Sequence, residues 1–251
     1  MSEKIKISAV SYLNTKPYLK GFELSENKDL FDIQLDYPAD SAKKLIDGLV
    51  DIALVPVVIL PKLKTPQIIS NFGIGALGSV KTVCVFSNCP IEEIETIYLD
   101  YQSKTSVQLI QILTKNYWKI NPKFVASEIG FEDKIKGNTA ALIIGDRTIP
   151  IFNRYSYIYD LSEAWYNYSG LGFVFAQWIA NKPLSGEILK TLESVFQNSM
   201  EVIEDVIIEN KYLNNDFFSV EKYLKENIHY TLEEPHLNGL KRFKELSSRI
   251  N

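Results

Sequence analysis

Apolar positions along the chain switch between period two and period three to four, and each switch marks a change of element. Residues Ile5 to Val10 read as a strand, and residues 31–37 alternate apolar and polar side chains as a half-buried strand does. Ala42, Leu45, Ile46 and Leu49 then share one face of a helix that Asp40 or Ser41 is placed to cap. Residues 51–55 form a buried strand stopped by Pro56. Further strands are expected at 80–86 and 94–99. A helix from about Ser103 to Tyr117 follows, with Val107, Ile110, Leu113 and Tyr117 on one face. After a short strand at 124–126, Thr139–Ile144 is a near-continuous apolar run, the pattern of a parallel strand covered on both faces. Residues 173–176 continue through Trp178 and Ile179 as another strand. From there the chain reads as helical. Ser185 caps a long helix reaching Ile203 and Val206, Ser219 caps a shorter one, and Leu237, Leu240, Phe243, Leu246 and Ile250 mark the last.

Alternating strands and helices predict an α/β protein with mainly parallel sheets. The strands fall into two sets, roughly 5–86 and 94–178. If the last helices return to the first set, residues 1–87 and 177–251 make a discontinuous lobe I and residues 88–176 an inserted lobe II. A single doubly wound sheet is the competing layout. No internal repeat, low-complexity segment or Gly/Ser linker marks a boundary.

Composition narrows the partners. The 251 residues carry 27 Lys+Arg against 31 Asp+Glu, a net charge of −4 with both signs interspersed, so no basic face argues for nucleic acid. No apolar run approaches the roughly 20 residues that cross a bilayer, so no membrane partner is expected. Met1-Ser2-Glu3-Lys4 leads straight into a β-like stretch without a hydrophobic signal segment, from which a cytoplasmic location is expected. The two cysteines, Cys84 and Cys89, read as reduced, and no metal-ligand spacing appears among two Cys and two His. His229 and His236 read as surface or packing residues.

Two polar loops, each directly after a strand, carry the candidate chemistry. One is Ser11-Tyr12-Leu13-Asn14-Thr15-Lys16-Pro17; the other is Asp100-Tyr101-Gln102-Ser103-Lys104-Thr105-Ser106. A strand that stops at a Ser/Thr-rich helix start offers free backbone N–H groups and the positive end of a helix dipole, which suits a carboxylate. Ser103, Thr105 and Ser106 can supply such donors, and Ser103 alone reads equally well as an N-cap. Asn14 reads either as a turn residue before Pro17 or as a polar ligand group. Asp146 is placed to cap the helix after Thr139–Ile144, with Arg147 as its ion-pair partner.

The strings themselves resemble a known family. Residues Val10-Ser11-Tyr12-Leu13-Asn14-Thr15-Lys16-Pro17 are similar to the opening motif of the chorismate dehydratases of the futalosine route to menaquinone. Asp51-Ile52-Ala53-Leu54-Val55-Pro56-Val57, Val80-Lys81-Thr82-Val83, Ser103-Lys104-Thr105-Ser106-Val107 and Leu142-Ile143-Ile144-Gly145-Asp146-Arg147 match later family segments in the same order. So do Gly170-Leu171-Gly172-Phe173-Val174-Phe175-Ala176 and Gly239-Leu240-Lys241-Arg242-Phe243. Lys81 and Lys104 stand where the family usually has Arg, and Gly172 where it has Pro.

The resemblance implies a two-lobed fold like the type II periplasmic binding proteins, with a central cleft. It implies dehydration of chorismate to 3-enolpyruvylbenzoate, with a small-molecule substrate and neither metal nor organic cofactor. Asn14 becomes the candidate catalytic residue, holding and polarising the reacting group while a carboxylate of chorismate takes the ring proton. Ser11, Thr82, Ser103, Thr105, Ser106, Gly145 and Asp146 become candidate substrate contacts. The sister 1,4-dihydroxy-6-naphthoate synthases resemble a pattern with a His at position 145 and a Cys-Pro-Asn-Asp type opening, neither of which this chain has. A solute-binding protein for a small aromatic or dicarboxylic anion is the non-catalytic alternative.

Overall fold

A computed structural model describes residues 4–250. In chain order the strands are β1 (Ile5–Val10), β2 (Phe31–Asp36), β3 (Ile52–Pro56), β4 (Gln67–Ala76), β5 (Val83–Ser87), β6 (Thr96–Leu99), β7 (Lys123–Ala126), β8 (Thr139–Ile144), β9 (Tyr157–Asp160), β10 (Phe173–Ala180) and β11 (His229–Thr231). The α-helices are α1 (Lys16–Leu24), α2 (Pro38–Ile46), α3 (Lys104–Leu113), α4 (Leu161–Ser169), α5 (Gly186–Glu201), α6 (Ile203–Glu209), α7 (Val220–Lys222) and α8 (Glu234–Ser247). The strands build two sheets, ordered β11-β4-β10-β3-β1-β2 and β7-β6-β8-β5-β9.

Both sheets are mixed rather than mainly parallel. β1 runs parallel to β2 and β3, and β6 runs parallel to β7 and β8. β10 is antiparallel to β3 and β4, β11 to β4, and β5 to β8 and β9. A continuous apolar run reports that both faces of a strand are covered, and says nothing about the direction of its neighbours. β8 illustrates this, with a parallel partner on one edge and an antiparallel one on the other.

Strand membership also departs from the two sets read along the chain. β5 pairs in the second sheet, and β10 pairs in the first. The chain therefore passes between sheets at 77–82 and at 170–172, not near 87–90 and 177. The Ser87-Asn88-Cys89-Pro90 stretch is a local turn. The Ser87 hydroxyl donates to the Cys89 carbonyl at 2.8 Å and accepts from the Cys89 N–H at 3.1 Å. Periodicity identifies a strand but not the sheet it joins.

Local signals explain most element ends. Ser185 and Ser219 cap α5 and α7, accepting from Ile188 N–H and Lys222 N–H. α2 instead starts at Pro38, with Tyr37 as an N-cap that makes no side-chain bond. Pro38 is already suited to the first turn, and the Ser41 hydroxyl goes to the Leu54 carbonyl at 3.3 Å. α3 ends at Leu113 and runs on as one π turn, Thr114–Trp118. The long helix expected from Ser185 is two, α5 and α6. β4 escapes a periodicity reading because Ser70, Asn71, Gly73 and Gly75 interrupt it. A Cβ at Gly73 would lie 2.5 Å from the Ala176 carbonyl oxygen, so close strand packing requires glycine there.

The C-terminal helices cover the first sheet. α5 packs on α1 and β4, and α8 on β10 while also touching α3. Between α1, α5 and the sheet, Tyr18 meets Trp178, Phe196 and Tyr230 edge-on, with ring centroids 5.4–5.5 Å apart, while Trp178 stacks on Phe196. Cys84 and Cys89 are buried and unlinked. Among the described residues no helix is long and apolar enough to cross a membrane.

His236 is a packing residue. It is 1 % exposed, and its Nδ1 accepts from the Glu233 N–H at 3.2 Å in the capping box of α8. Its ring lies 4.9 Å from that of half-buried His229. Burial pushes both imidazoles below their ordinary range, with Glu233 opposing. A depressed histidine favours the folded state above its unfolded value of about 6.5, and that stability is lost as pH falls through this region. Burial raises the carboxyls of Asp100 and Asp146, so these act in the opposite sense. The melting temperature should therefore drop between about pH 7 and pH 5.5. A flat profile across that window would contradict the packing role.

Candidate functional site

One cavity lies between the two sheets, beyond the carboxyl ends of β1, β3 and β8, where α/β folds place ligands. It encloses about 570 Å³ of empty space, counting the part open to solvent. Val10, Leu54, Pro56, Ile74, Val83 and Ile144 make an apolar wall, and Phe175 adds an aromatic face. Tyr12, Asn14, Thr15, Thr82, Ser103, Thr105 and Ser106 supply the polar atoms, and none of the lining residues is charged.

The first loop enters through a tight 3-10 turn, Leu13–Thr15, between β1 and α1. This turn brings Asn14 to the cavity half-buried, with its Oδ1 accepting from the Thr15 hydroxyl at 3.3 Å. Ser11 is exposed and outside the lining. At the end of β1 its N–H still donates to Asp36 along the strand register, and its side chain turns away from the cavity.

The second loop ends at the start of α3. Ser103 caps that helix, accepting from the Ser106 N–H at 3.1 Å, and donates its own proton to Ser106 Oγ at 2.9 Å. Cap and cavity lining are thus one residue. Thr105 is 2 % exposed, and its hydroxyl has no hydrogen-bond partner. A buried unpaired hydroxyl costs about 1–3 kcal/mol, so an orphan lining a cavity points to a ligand that satisfies it. Thr105→Val should accordingly leave the melting temperature unchanged or raise it, while weakening ligand binding several-fold. Calorimetry with a ligand titration checks both halves.

Thr82 lies on the segment crossing between the sheets, its hydroxyl 2.8 Å from that of Tyr223. Gly145 terminates β8 with φ +70. A Cβ there would stand 2.5–2.8 Å from three atoms of the Tyr12 ring, so the ring closes over this glycine. The Tyr12 hydroxyl donates to Gln102 Oε1 from the second loop.

Asp146 and Arg147 are not partners. The Leu13 N–H donates to both oxygens of Asp146, at 3.1 and 3.0 Å, and Asp146 lies outside the cavity lining. Arg147 pairs with Asp100 and, at 2.9 Å, with Glu132, its guanidinium over the Tyr101 ring. Both residues sit in the 3-10 turn Gly145–Ile151, where adjacent side chains diverge by about 120°. Buried Asp100 also accepts from the N–H groups of Gln102 and Ile144, both at 2.9 Å, tying the ends of β6 and β8 together. Lys81 and Lys104 are exposed and off the lining, and among the described residues no cation lines the cavity. Among the described residues no cluster of three or more His, Cys, Asp or Glu is arranged to hold a metal.

Pro38, Phe175 and Tyr223 were not legible as site residues. Phe175 and Pro38 look like ordinary strand and helix-start residues. Tyr223 lies 141 positions from Thr82, in a helical stretch with no motif.

The chain is similar to known proteins over nearly its whole length. A family model described as menaquinone biosynthesis matches residues 5–249. A chorismate dehydratase of Thermus thermophilus is 27 % identical over 229 residues, covering 83 % of each chain. A solved protein from Archaeoglobus fulgidus superposes with a TM-score of 0.76 at 12 % identity, covering 99 % of this chain and 98 % of the other. A Candida albicans protein described as having the generic periplasmic binding protein fold gives 0.67 at 9 % identity, covering 98 % and 90 %. The alkanesulfonate-binding protein of Xanthomonas axonopodis gives 0.59 at 11 %, covering 96 % and 90 %. The fold is thus periplasmic-binding-protein-like, two-lobed and of type II.

Proposed function

Because the chain belongs to the menaquinone biosynthesis family, we propose that it is a chorismate dehydratase, converting chorismate to 3-enolpyruvylbenzoate and water. The observation that carries this reading is the single uncharged cavity that Asn14 and the 103–106 turn share. Chorismate is a compact cyclohexadiene dianion. Donors from the start of α3 suit one carboxylate, with the orphaned Thr105 hydroxyl as a ready partner. The apolar wall and Phe175 suit the ring.

The reaction breaks a ring C–H and an adjacent ring C–OH. The C–H electron pair becomes the new ring π bond, the proton passes to a carboxylate, and the C–O bond breaks as the hydroxyl takes up that proton and leaves as water. Aromatisation drives the step, so the site has to position and polarise rather than supply strong acid or base. The lining holds no carboxylate and no imidazole, which favours a carboxylate of the substrate as proton acceptor. Asn14 holds the reacting group, since an amide both donates and accepts. Closure of the lobes, divided at 77–82 and 170–172, excludes water, with Leu13–Asp146 and Tyr12–Gln102 as the contacts made across the cleft.

Mixing the purified protein with chorismate tests the reading. Loss of the diene absorbance with appearance of a substituted benzoate supports it. The likeness to an alkanesulfonate-binding protein favours one rival, a non-catalytic binder of anions. Saturable binding without conversion would select that rival.

A further inference from the structure

We propose that Asp160 is a positioning residue, which places Thr82 in the cavity wall by holding the strained turn that precedes it. The Thr82 N–H returns to the Val80 carbonyl at 2.8 Å, across Lys81 alone. Lys81 has φ +66. A three-residue turn of that hand is the rare, strained form of the γ-turn. Among the described residues the other non-glycine with positive φ is Lys119, which ends the π turn after α3, where the left-handed conformation is ordinary. Lys81 ends no helix. It lies in the segment 77–82 that crosses between the sheets, exposed and off the cavity lining. Strain kept at a residue outside the site points to the neighbour it delivers. That neighbour, Thr82, is 2 % exposed and lines the cavity. Its carbonyl accepts from the N–H of Gly145, another lining residue, at 2.8 Å.

The turn persists because Asp160 clamps it. Asp160 ends β9, is 8 % exposed, and divides its carboxylate between two tasks. Its Oδ2 accepts from the Ser79 hydroxyl and from the Lys81 N–H, both at 2.7 Å. Its Oδ1 caps α4, accepting from the N–H groups of Ser162 at 2.9 Å and Glu163 at 3.1 Å. The two bonds to the turn have the short lengths of charge-assisted hydrogen bonds, and they anchor the crossing segment to the second sheet. The Asn227 side chain secures the same segment from the C-terminal region, donating to the Ser79 carbonyl at 2.9 Å. An N-cap needs one oxygen. The second oxygen of Asp160 serves a turn that relaxes without it.

For its kinetic arm the inference rests on the dehydratase reading. Asp160→Asn can keep the cap through Oδ1 but sets an NH2 group against the Lys81 N–H, donor facing donor. The turn should open, and kcat/KM for chorismate should fall about 10- to 100-fold, the scale of a displaced contact group. Lys81→Gly in that background is the rescue. Glycine holds a positive φ without strain, so the turn depends less on its clamp, and the double variant should recover most of the lost kcat/KM. A role confined to capping α4 predicts no rescue, because position 81 lies outside that helix. The second arm uses no substrate: methyl NMR of Thr82, whose signal should move in Asp160→Asn and return toward its wild-type position in the double variant. In the wild type itself, the Lys81 amide should be strongly protected from hydrogen exchange although the residue is exposed. Fast exchange of that amide, an unmoved Thr82 methyl, full kcat/KM in Asp160→Asn, or loss without rescue overturns the inference. A Thr82 methyl that moves and returns, in a protein whose wild type leaves chorismate unconverted, supports the positioning role and rejects the dehydratase reading.

Discussion

Asn14→Ala is expected to lower kcat for chorismate by about a thousandfold while leaving the protein folded. A correctly placed polarising or proton-handling group contributes roughly 10²–10⁴-fold, and a preorganised donor in a water-excluded site contributes on the same scale. In this cavity Asn14 is the one side-chain amide, and no charged group stands ready to replace it. The stability cost should be small. Its bond from Thr15 is long, at 3.3 Å, and the side chain is only half-buried, so the loss is on the order of 1 kcal/mol or less. Circular dichroism and melting temperature report the fold; progress curves at saturating chorismate report kcat. Asn14→Asp keeps the size and adds a negative charge beside a dianion, so it should raise KM as well as depress kcat. Near-normal turnover by a well-folded Asn14→Ala protein would remove Asn14 from the mechanism.

Gly145→Ala is expected to have the second large effect, on closure and stability together. At φ +70 an L-residue costs roughly 1–2 kcal/mol relative to glycine. The added Cβ would also press to 2.5 Å on the Tyr12 ring, which must swing away and release Gln102. Leaving a buried acceptor unpaired adds about 1–3 kcal/mol. A combined loss on the order of 3 kcal/mol lowers the melting temperature of a chain this size by about 6–12 °C. Catalysis should suffer too, because Tyr12 lines the cavity and bridges to the second loop. The steric share has a separate signature. In a Tyr12→Ala background the collision is gone, so Gly145→Ala should then cost only its backbone share. Additive losses in that double mutant would show that the ring contact is irrelevant.

Much of the site could be found by reading along the chain. Asn14, Ser103, Thr105 and Ser106 were legible because strand ends and helix starts leave a local record: an apolar run, then hydroxyl or amide residues at cap positions. Thr82 and Gly145 were legible only through resemblance, since a strand threonine and a loop glycine carry no distinctive pattern. Ser11 shares the motif of the first loop yet lies outside the cavity, because adjacent residues at a strand end point to opposite sides. Asp146 and Arg147 are neighbours in sequence, which suggests an ion pair. In the structure each finds its partner from another element, Leu13 for one and Asp100 with Glu132 for the other.

Sequence periodicity determined the α/β class, most strands and the main helix caps, because those depend on residues within a turn or two of each other. It did not determine strand direction, the sheets to which β5 and β10 belong, or the strands β4, β9 and β11. These depend on pairing between segments far apart, whose cost and gain are set by the whole packed molecule. Only the tertiary structure brought Tyr223 against Thr82, and Tyr12 over Gly145. A hydrogen bond spanning 141 residues leaves no periodic trace, because nothing local selects it.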